Sequence, residues 1–218
     1  MRQFDIRQRW QSGADILKAA ASSYHEDMWA GQKWRVFVVV EKDALSGILA
    51  PVCRKWDVPL LAARGYPSAS VLHEFALDDI VPALVESEQS VIILHLGDHD
   101  PSGIDMTRDL EDRLALFSNY HASREVELER LALNMEQVEE LKPPPNFAKQ
   151  TDKRYAAYVE VYGSECWELD ALPPEYLVDL VEGNIKPFID QGAWDETATA
   201  IESVKTKLLS IAQEFKGA

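Results

Sequence analysis

The sequence predicts an α/β protein: a mainly parallel sheet with helices on both faces, and a helical extension at the C-terminal end. Three observations predict it. Apolar runs at residues 36–40, 58–62 and 91–96 have the length and continuity of strands buried on both faces. The segments between them carry apolar residues at helical spacing. Each run ends on a turn signal or an acidic residue, so strand and helix alternate as a parallel sheet requires.

Residues 13–29 read as a helix, with Ala14, Ile16, Leu17, Ala20, Ala21 and Tyr24 on an apolar stripe. After the first strand, Leu45, Ile48, Leu49, Val52 and Trp56 repeat at helical spacing, and Pro51 predicts a kink. The second strand runs into the turn Arg64-Gly65-Tyr66-Pro67. Ser68 or Ser70 caps the helix that follows, and Pro82 interrupts it. The third strand closes on Gly97-Asp98-His99-Asp100-Pro101-Ser102-Gly103, before a helix over residues 103–117. A fourth strand is expected at 125–131, where Val126 and Leu128 alternate with glutamates. Beyond it come an extended loop at 141–149 around three prolines, a helix at 151–163 and a short strand at 166–169. Pro173-Pro174 opens a helix to about residue 188, and a last helix covers 194–215. The expected organisation is an N-terminal helical segment (1–33), a core (34–135) and a C-terminal extension (136–218) that completes the core or packs on it.

Composition narrows the function. The chain has 218 residues, 46% hydrophobic and 27% charged, as ordinary globular proteins do. No apolar run approaches the roughly 18 residues of a membrane span. The opening residues carry Arg2, Asp5, Arg7 and Arg9 rather than a signal peptide's apolar stretch. Cys53 and Cys166 stand alone, without the spacing of a disulfide framework or a zinc site. A cytoplasmic protein is expected. With 22 Lys+Arg against 37 Asp+Glu, the net charge is −15. That sign repels phosphates, so nucleic acid would need a bound divalent metal or a basic partner domain.

The chemistry concentrates at strand ends. Glu41 directly follows the first strand, and Asp98 and Asp100 directly follow the third. In a parallel sheet, functional groups collect at this carboxyl edge. Residues two apart in extended chain point to the same side, so both aspartates can reach one cation. Carboxylate oxygens with room for water and phosphate are what Mg²⁺ prefers. The plainer alternative is that an Asp before Pro-Ser-Gly caps a helix or shapes a turn.

The order of these pieces resembles the Toprim domain, particularly that of the topoisomerase VI A subunit and its meiotic break-forming relatives. Three segments carry the likeness: Val38-Val39-Val40-Glu41-Lys42-Asp43-Ala44, Arg64-Gly65-Tyr66-Pro67-Ser68, and Leu94-His95-Leu96-Gly97-Asp98-His99-Asp100-Pro101-Ser102-Gly103-Ile104. The family pattern is a Glu after the first strand, a glycine turn after the second and a D-x-D after the third. The likeness continues more weakly through Lys149-Gln150-Thr151-Asp152-Lys153-Arg154 and Trp167-Glu168-Leu169-Asp170, which are similar to bacterial and phage Toprim proteins. Related nucleases include the overcoming-lysogenization-defect family and the nuclease subunit of Wadjet plasmid defence.

The resemblance implies a Rossmann-like Toprim fold in which Asp98 and Asp100 ligate Mg²⁺ or Mn²⁺. Glu41 would be a further ligand or the general acid/base. Gly65 and Gly103 would serve tight turns of the backbone. Lys42 is a candidate phosphate contact, with a solvated surface lysine as the alternative; Arg154 and Lys153 stand in the same position. His99 is expected to face away from the metal, and Asp105 to be an exposed residue of a helix's first turn, with a ligand of a second metal as the alternative. Glu168 and Asp170 share one side of the expected strand at 166–169 and are the candidates for a second metal site.

One departure matters. Topoisomerase VI-type enzymes cut with a tyrosine in a winged-helix domain that precedes the Toprim domain. Only about thirty residues precede the first strand here, and Tyr24, the one tyrosine among them, lies on an apolar stripe. The expected activity is therefore nicking or cleavage of DNA by metal-activated water. A non-catalytic metal- or DNA-binding module, or the Toprim part of a split enzyme, are the alternatives. Haloacid-dehalogenase-like phosphatases place D-x-D after the first strand, which disfavours them. The last helix is a candidate homodimer face, with burial against its own sheet as the alternative.

Overall fold

Strand β1 (Trp34–Val40) is made almost wholly of β-branched and aromatic residues, and Val36 to Val40 are all buried. Such a run finds cover only in the middle of a sheet, and the computed structural model, which describes residues 10–63, 65–118 and 126–215, puts it there. Four strands lie in the order β2-β1-β3-β4, with β2 at Leu60–Ala62, β3 at Ser90–Leu96 and β4 at Val126–Ala132. All three pairings are parallel. The protein is α/β and Rossmann-like, as its strand–helix alternation predicts. Arg64, Glu125 and the charged opening at residues 1–9 lie outside the described residues.

Alternate strand residues serve the two faces of the sheet. Phe37, Val39, Val91 and Ile93 pack with Leu72 and Ala76 on one side, joined by Met106, Leu110 and Leu114 of helix α5 (Pro101–Ser118). Helix α2 (Asp43–Lys55) packs on β1 and β2 and against helix α8 (Pro174–Ile185). Pro51 lies inside α2, whose helical run continues through it to Lys55. Pro82 likewise does not break its helix. Helix α3 (Ala69–Phe75) passes through a π-helical turn (Ala76–Ile80) into α4 (Val81–Val85), with Pro82 in the first turn of α4. Proline lacks an N–H, and the wider π turn just before it absorbs the missing bond. Ser68 is the residue that caps α3, its hydroxyl accepting from Val71 N at 3.2 Å.

The second half departs further from expectation. Helix α6 (Met135–Leu141) falls where no element was expected. Its signal is local: the Gln137 side chain accepts from the Asn134 backbone N–H at 2.9 Å, half of a capping box. The proline loop leads into β5 (Asn146–Phe147), which pairs antiparallel with β6 (Glu165–Cys166) around helix α7 (Tyr155–Tyr162). The strand expected over 166–169 stops at Cys166, and Leu169–Ala171 is a 3-10 turn.

The chain forms two compact units, Trp29–Asp190 and a second made of the segments before and after it. Residues 136–190 thus belong with the sheet. In the second unit, α1 (Gly13–Ser23) packs against α9 (Gln191–Glu214), so the last helix pairs with the first. Ser12 caps α1, accepting from Asp15 N at 3.2 Å. That helix ends at Ser23, short of the expected Trp29; Tyr24 is half-buried at its C-cap, and its hydroxyl meets Glu26. Among the described residues, no helix is long and apolar enough to cross a membrane.

Candidate metal centre

In the order β2-β1-β3-β4 the chain leaves β1 in one direction and returns to its other side, which opens a crevice between the carboxyl ends of β1 and β3. This switch point is where open α/β sheets bind ligands. Val40 pairs with Leu96, so the next residues out are Glu41 on one strand and Gly97 and Asp98 on the other. Glu41 N donates to Leu96 O at 2.9 Å, extending the ladder by one bond. Glu41 Oε2 then accepts from Asp98 N at 3.0 Å.

Two glycines make this approach possible. A Cβ on Gly97 would lie 3.0 Å from Glu41 Oε2 and 3.3 Å from an Arg130 Nη. A Cβ on Gly103 would overlap the Asp98 carbonyl oxygen and stand 3.1 Å from Glu41 Oε2. Gly103 therefore serves close packing in the first turn of α5 rather than a turn of its own, which corrects the expectation. Gly65 does occupy the left-handed region, at φ +84°, and its N–H reaches Glu41 O at 3.4 Å.

Asp100 Oδ1 accepts from Gly103 N at 2.6 Å and from the Ser102 hydroxyl at 2.9 Å, so Asp100 caps α5. The plain reading of an Asp before Pro-Ser-Gly holds for that oxygen. Asp98 Oδ1 accepts from Leu169 N at 2.7 Å. Each of the three acids spends one oxygen on this framework. Among the described residues, no hydrogen bond or ion pair engages Glu41 Oε1, Asp98 Oδ2 or Asp100 Oδ2.

Burial pushes Glu41 up to about 6, and the charges of Asp98 and Asp100 add to the rise; the Asp98 N–H and Arg130 oppose it. Burial also raises Asp98, against the pull of Leu169 N–H and Lys42. Beneath the loop lies Arg130 on β4, for which the sequence offered only a place in a strand. Its Nη atoms donate to the carbonyls of Gly103 (3.0 Å), Gly97 (3.1 Å), Asp98 (2.6 Å) and Leu133 (3.3 Å), and to Thr107 Oγ1 at 2.6 Å. One half-buried guanidinium thus ties the acidic loop to α5 and β4 from below. Burial holds the neighbouring His95 imidazole down at about 3, so it is neutral at physiological pH.

His99 turns away from the carboxylates, as its place between them predicts. It is buried, with Nδ1 2.8 Å from the Tyr158 hydroxyl and its ring against Tyr162 and Trp167. Its backbone pairs with Trp167 in an antiparallel bridge, which brings Glu168 and Asp170 beside the loop.

Lys42 is not a solvated surface lysine. Its Nζ lies 2.9 Å from Glu168 Oε2, 2.9 Å from Asp170 Oδ1 and 3.4 Å from Asp98 Oδ1. Burial alone would lower its pKa, but the bonds to Glu168 and Asp170 and the charge of Asp98 raise it overall. Asp98 is raised overall despite this contact, because its own burial outweighs an ammonium held closer to the other two acids. Arg154 pairs with Asp105 at 2.8 Å and Asp152 at 3.1 Å and lies over the Tyr66 ring, while Asp105 also accepts from Tyr66 and Arg108. Neither Arg154 nor Asp105 is the simple exposed side chain that was expected.

The donor set suits a hard cation: three carboxylates, each with one oxygen outside the hydrogen-bonded framework. Mg²⁺ uses one or two carboxylates and fills its octahedron with water and phosphate. Among the described residues, no group of three or more His, Cys, Asp or Glu is already arranged to hold a metal ion. Concavities of about 500 and 560 Å³ flank α5, lined in part by Arg108, Arg130, Tyr162 and by Arg154, Tyr158; neither includes the three acids. The chain matches no family profile, no curated protein and no solved structure.

Proposed function

We propose that this chain is a cytoplasmic, metal-dependent DNA-processing protein of the Toprim type, which nicks or cleaves phosphodiester bonds. The observation that supports it is the meeting of Glu41 with Asp98 and Asp100 at the β1/β3 switch point, each acid keeping one oxygen uncommitted. Those oxygens would hold Mg²⁺ or Mn²⁺, which when bound activates water and offsets the charge developing on phosphate. Glu41, which burial pushes up to about 6 in the metal-free protein, would be either a further ligand or the group that moves a proton there. Asp98 and Asp100 would ligate the cation, and Arg130 fixes the loop that carries them.

DNA would reach the site with a partner's help. The net charge is −15, and both Arg108 and Arg154 are engaged by aspartates. A split enzyme, whose partner brings the basic surface and the nucleophile, is the second reading this charge favours.

Supercoiled plasmid with Mg²⁺ or Mn²⁺ tests the proposal. Wild type should yield nicked circles, and Asp98→Asn, which keeps an acceptor for Leu169 N, should not. Equal nicking by both would mean a contaminant and overturn the assignment. A wild type that binds Mn²⁺ but never nicks, alone or with a partner, is a non-catalytic module.

A further inference from the structure

We propose that Lys42 restricts this centre to a single divalent cation, its ammonium serving as a built-in positive charge where a second metal ion would sit. The inference rests on the reading above, in which Glu41, Asp98 and Asp100 hold a divalent cation. Successive residues of extended chain point to opposite sides, and the backbone at Lys42 is extended, with φ −100° and ψ 116°. The strand end that sends Glu41 inward to Asp98 N–H therefore sends Lys42 to the other side of Asp98. There the ammonium has one N–H for each of three carboxylates, at 2.9, 2.9 and 3.4 Å.

Two of these acids had no need to come. The Glu168 and Asp170 side chains are 51% and 46% exposed and free to stay in water, yet both converge on a lysine that is only 23% exposed. They are delivered by the His99–Trp167 bridge and by Leu169 N–H bonding Asp98 Oδ1. Asp98 is the shared member. Its Oδ1 faces Lys42 and Leu169 N–H, which leaves Oδ2 for the other side.

Where the three carboxylates converge, a cation offsets their mutual repulsion. A divalent ion would come from solution, whereas the ammonium is tethered one residue from Glu41 and so present at high effective concentration. The two cannot share the same oxygens without like-charge repulsion. Lys42 is thus a positioning and specificity residue. Its donors are spent on carboxylates, which removes it as a free phosphate contact.

Counting Mn²⁺ bound per chain by equilibrium dialysis tests this, using wild type, Lys42→Met, and Lys42→Met combined with Glu168→Gln and Asp170→Asn. Lys42→Met should bind one more ion than wild type, and the triple variant should return to the wild-type number. Lys42→Arg, which keeps the cation, should match wild type. If Lys42→Met does not fold, as judged by circular dichroism, Lys42→Gln takes its place with the same expected gain. An unchanged count in the folded variant overturns the inference. So does a wild-type site that disappears on Glu168→Gln/Asp170→Asn alone. A wild type that binds no ion beside a Lys42→Met that binds one would sustain the role of Lys42 while defeating the metal reading; one ion in each would do the reverse.

Discussion

Glu41→Gln should make the metal-free protein more stable at pH 8 and leave it unchanged near pH 4.5. Burial and the neighbouring Asp98 and Asp100 lift the Glu41 pKa from 4.5 to about 6, so the folded state prefers the protonated carboxyl. The stability this brings is fully present below 4.5 and is lost as the pH rises through 6. A rise of that size corresponds to about 2 kcal/mol. The side chain is only half-buried, so solvent screening brings the usable figure nearer about 1 kcal/mol. The glutamine oxygen can still accept from Asp98 N, which isolates the charge as the variable. In EDTA at pH 8 the variant should melt about 2–4 °C higher than wild type, with the gap closing by pH 4.5. Millimolar Mg²⁺ should reverse the order, because a ligand of the folded state stabilises only the protein that binds it. Equal differences at both pH values, or a variant less stable than wild type at pH 8, would refute the reasoning.

Two further substitutions probe the framework under the acids. Gly103→Ala places a methyl against the Asp98 carbonyl oxygen and should cost about 1–3 kcal/mol in urea unfolding, together with the Mn²⁺ site. Arg130→Lys keeps the charge but cannot reproduce a guanidinium's bonds to four carbonyls and a hydroxyl; a loss of about 3 kcal/mol is expected. A melt indistinguishable from wild type would mean the loop is held by something other than Arg130.

The first half was legible because its signals are local. A β-branched run can be satisfied only as a buried strand, and Glu41 and Asp98 fall one and two residues beyond β1 and β3. The charge of −15 was equally open to reading. What could not be read was which polar groups would answer one another. Lys42 looked like a surface residue because its three carboxylates are contributed by segments as far off as residue 170. Nothing in the segment of Glu168 and Asp170 shows the ammonium that both of them meet. Arg130 sat in an alternating strand with no mark of its function, since its partners are backbone carbonyls. Asp100 follows its plainer reading with one oxygen, which caps α5, and keeps the other uncommitted.

Taken by itself, then, the sequence determined the α/β class, the parallel sheet and the edge at which the acids emerge, because periodicity and turn chemistry act within a few residues. Only the tertiary structure decided how those acids are balanced. The strand order β2-β1-β3-β4 sets Glu41 beside Asp98, the His99–Trp167 bridge folds Glu168 and Asp170 over Lys42, and β4 slides Arg130 beneath. Charges interact through space, and that space exists only once the chain has closed on itself.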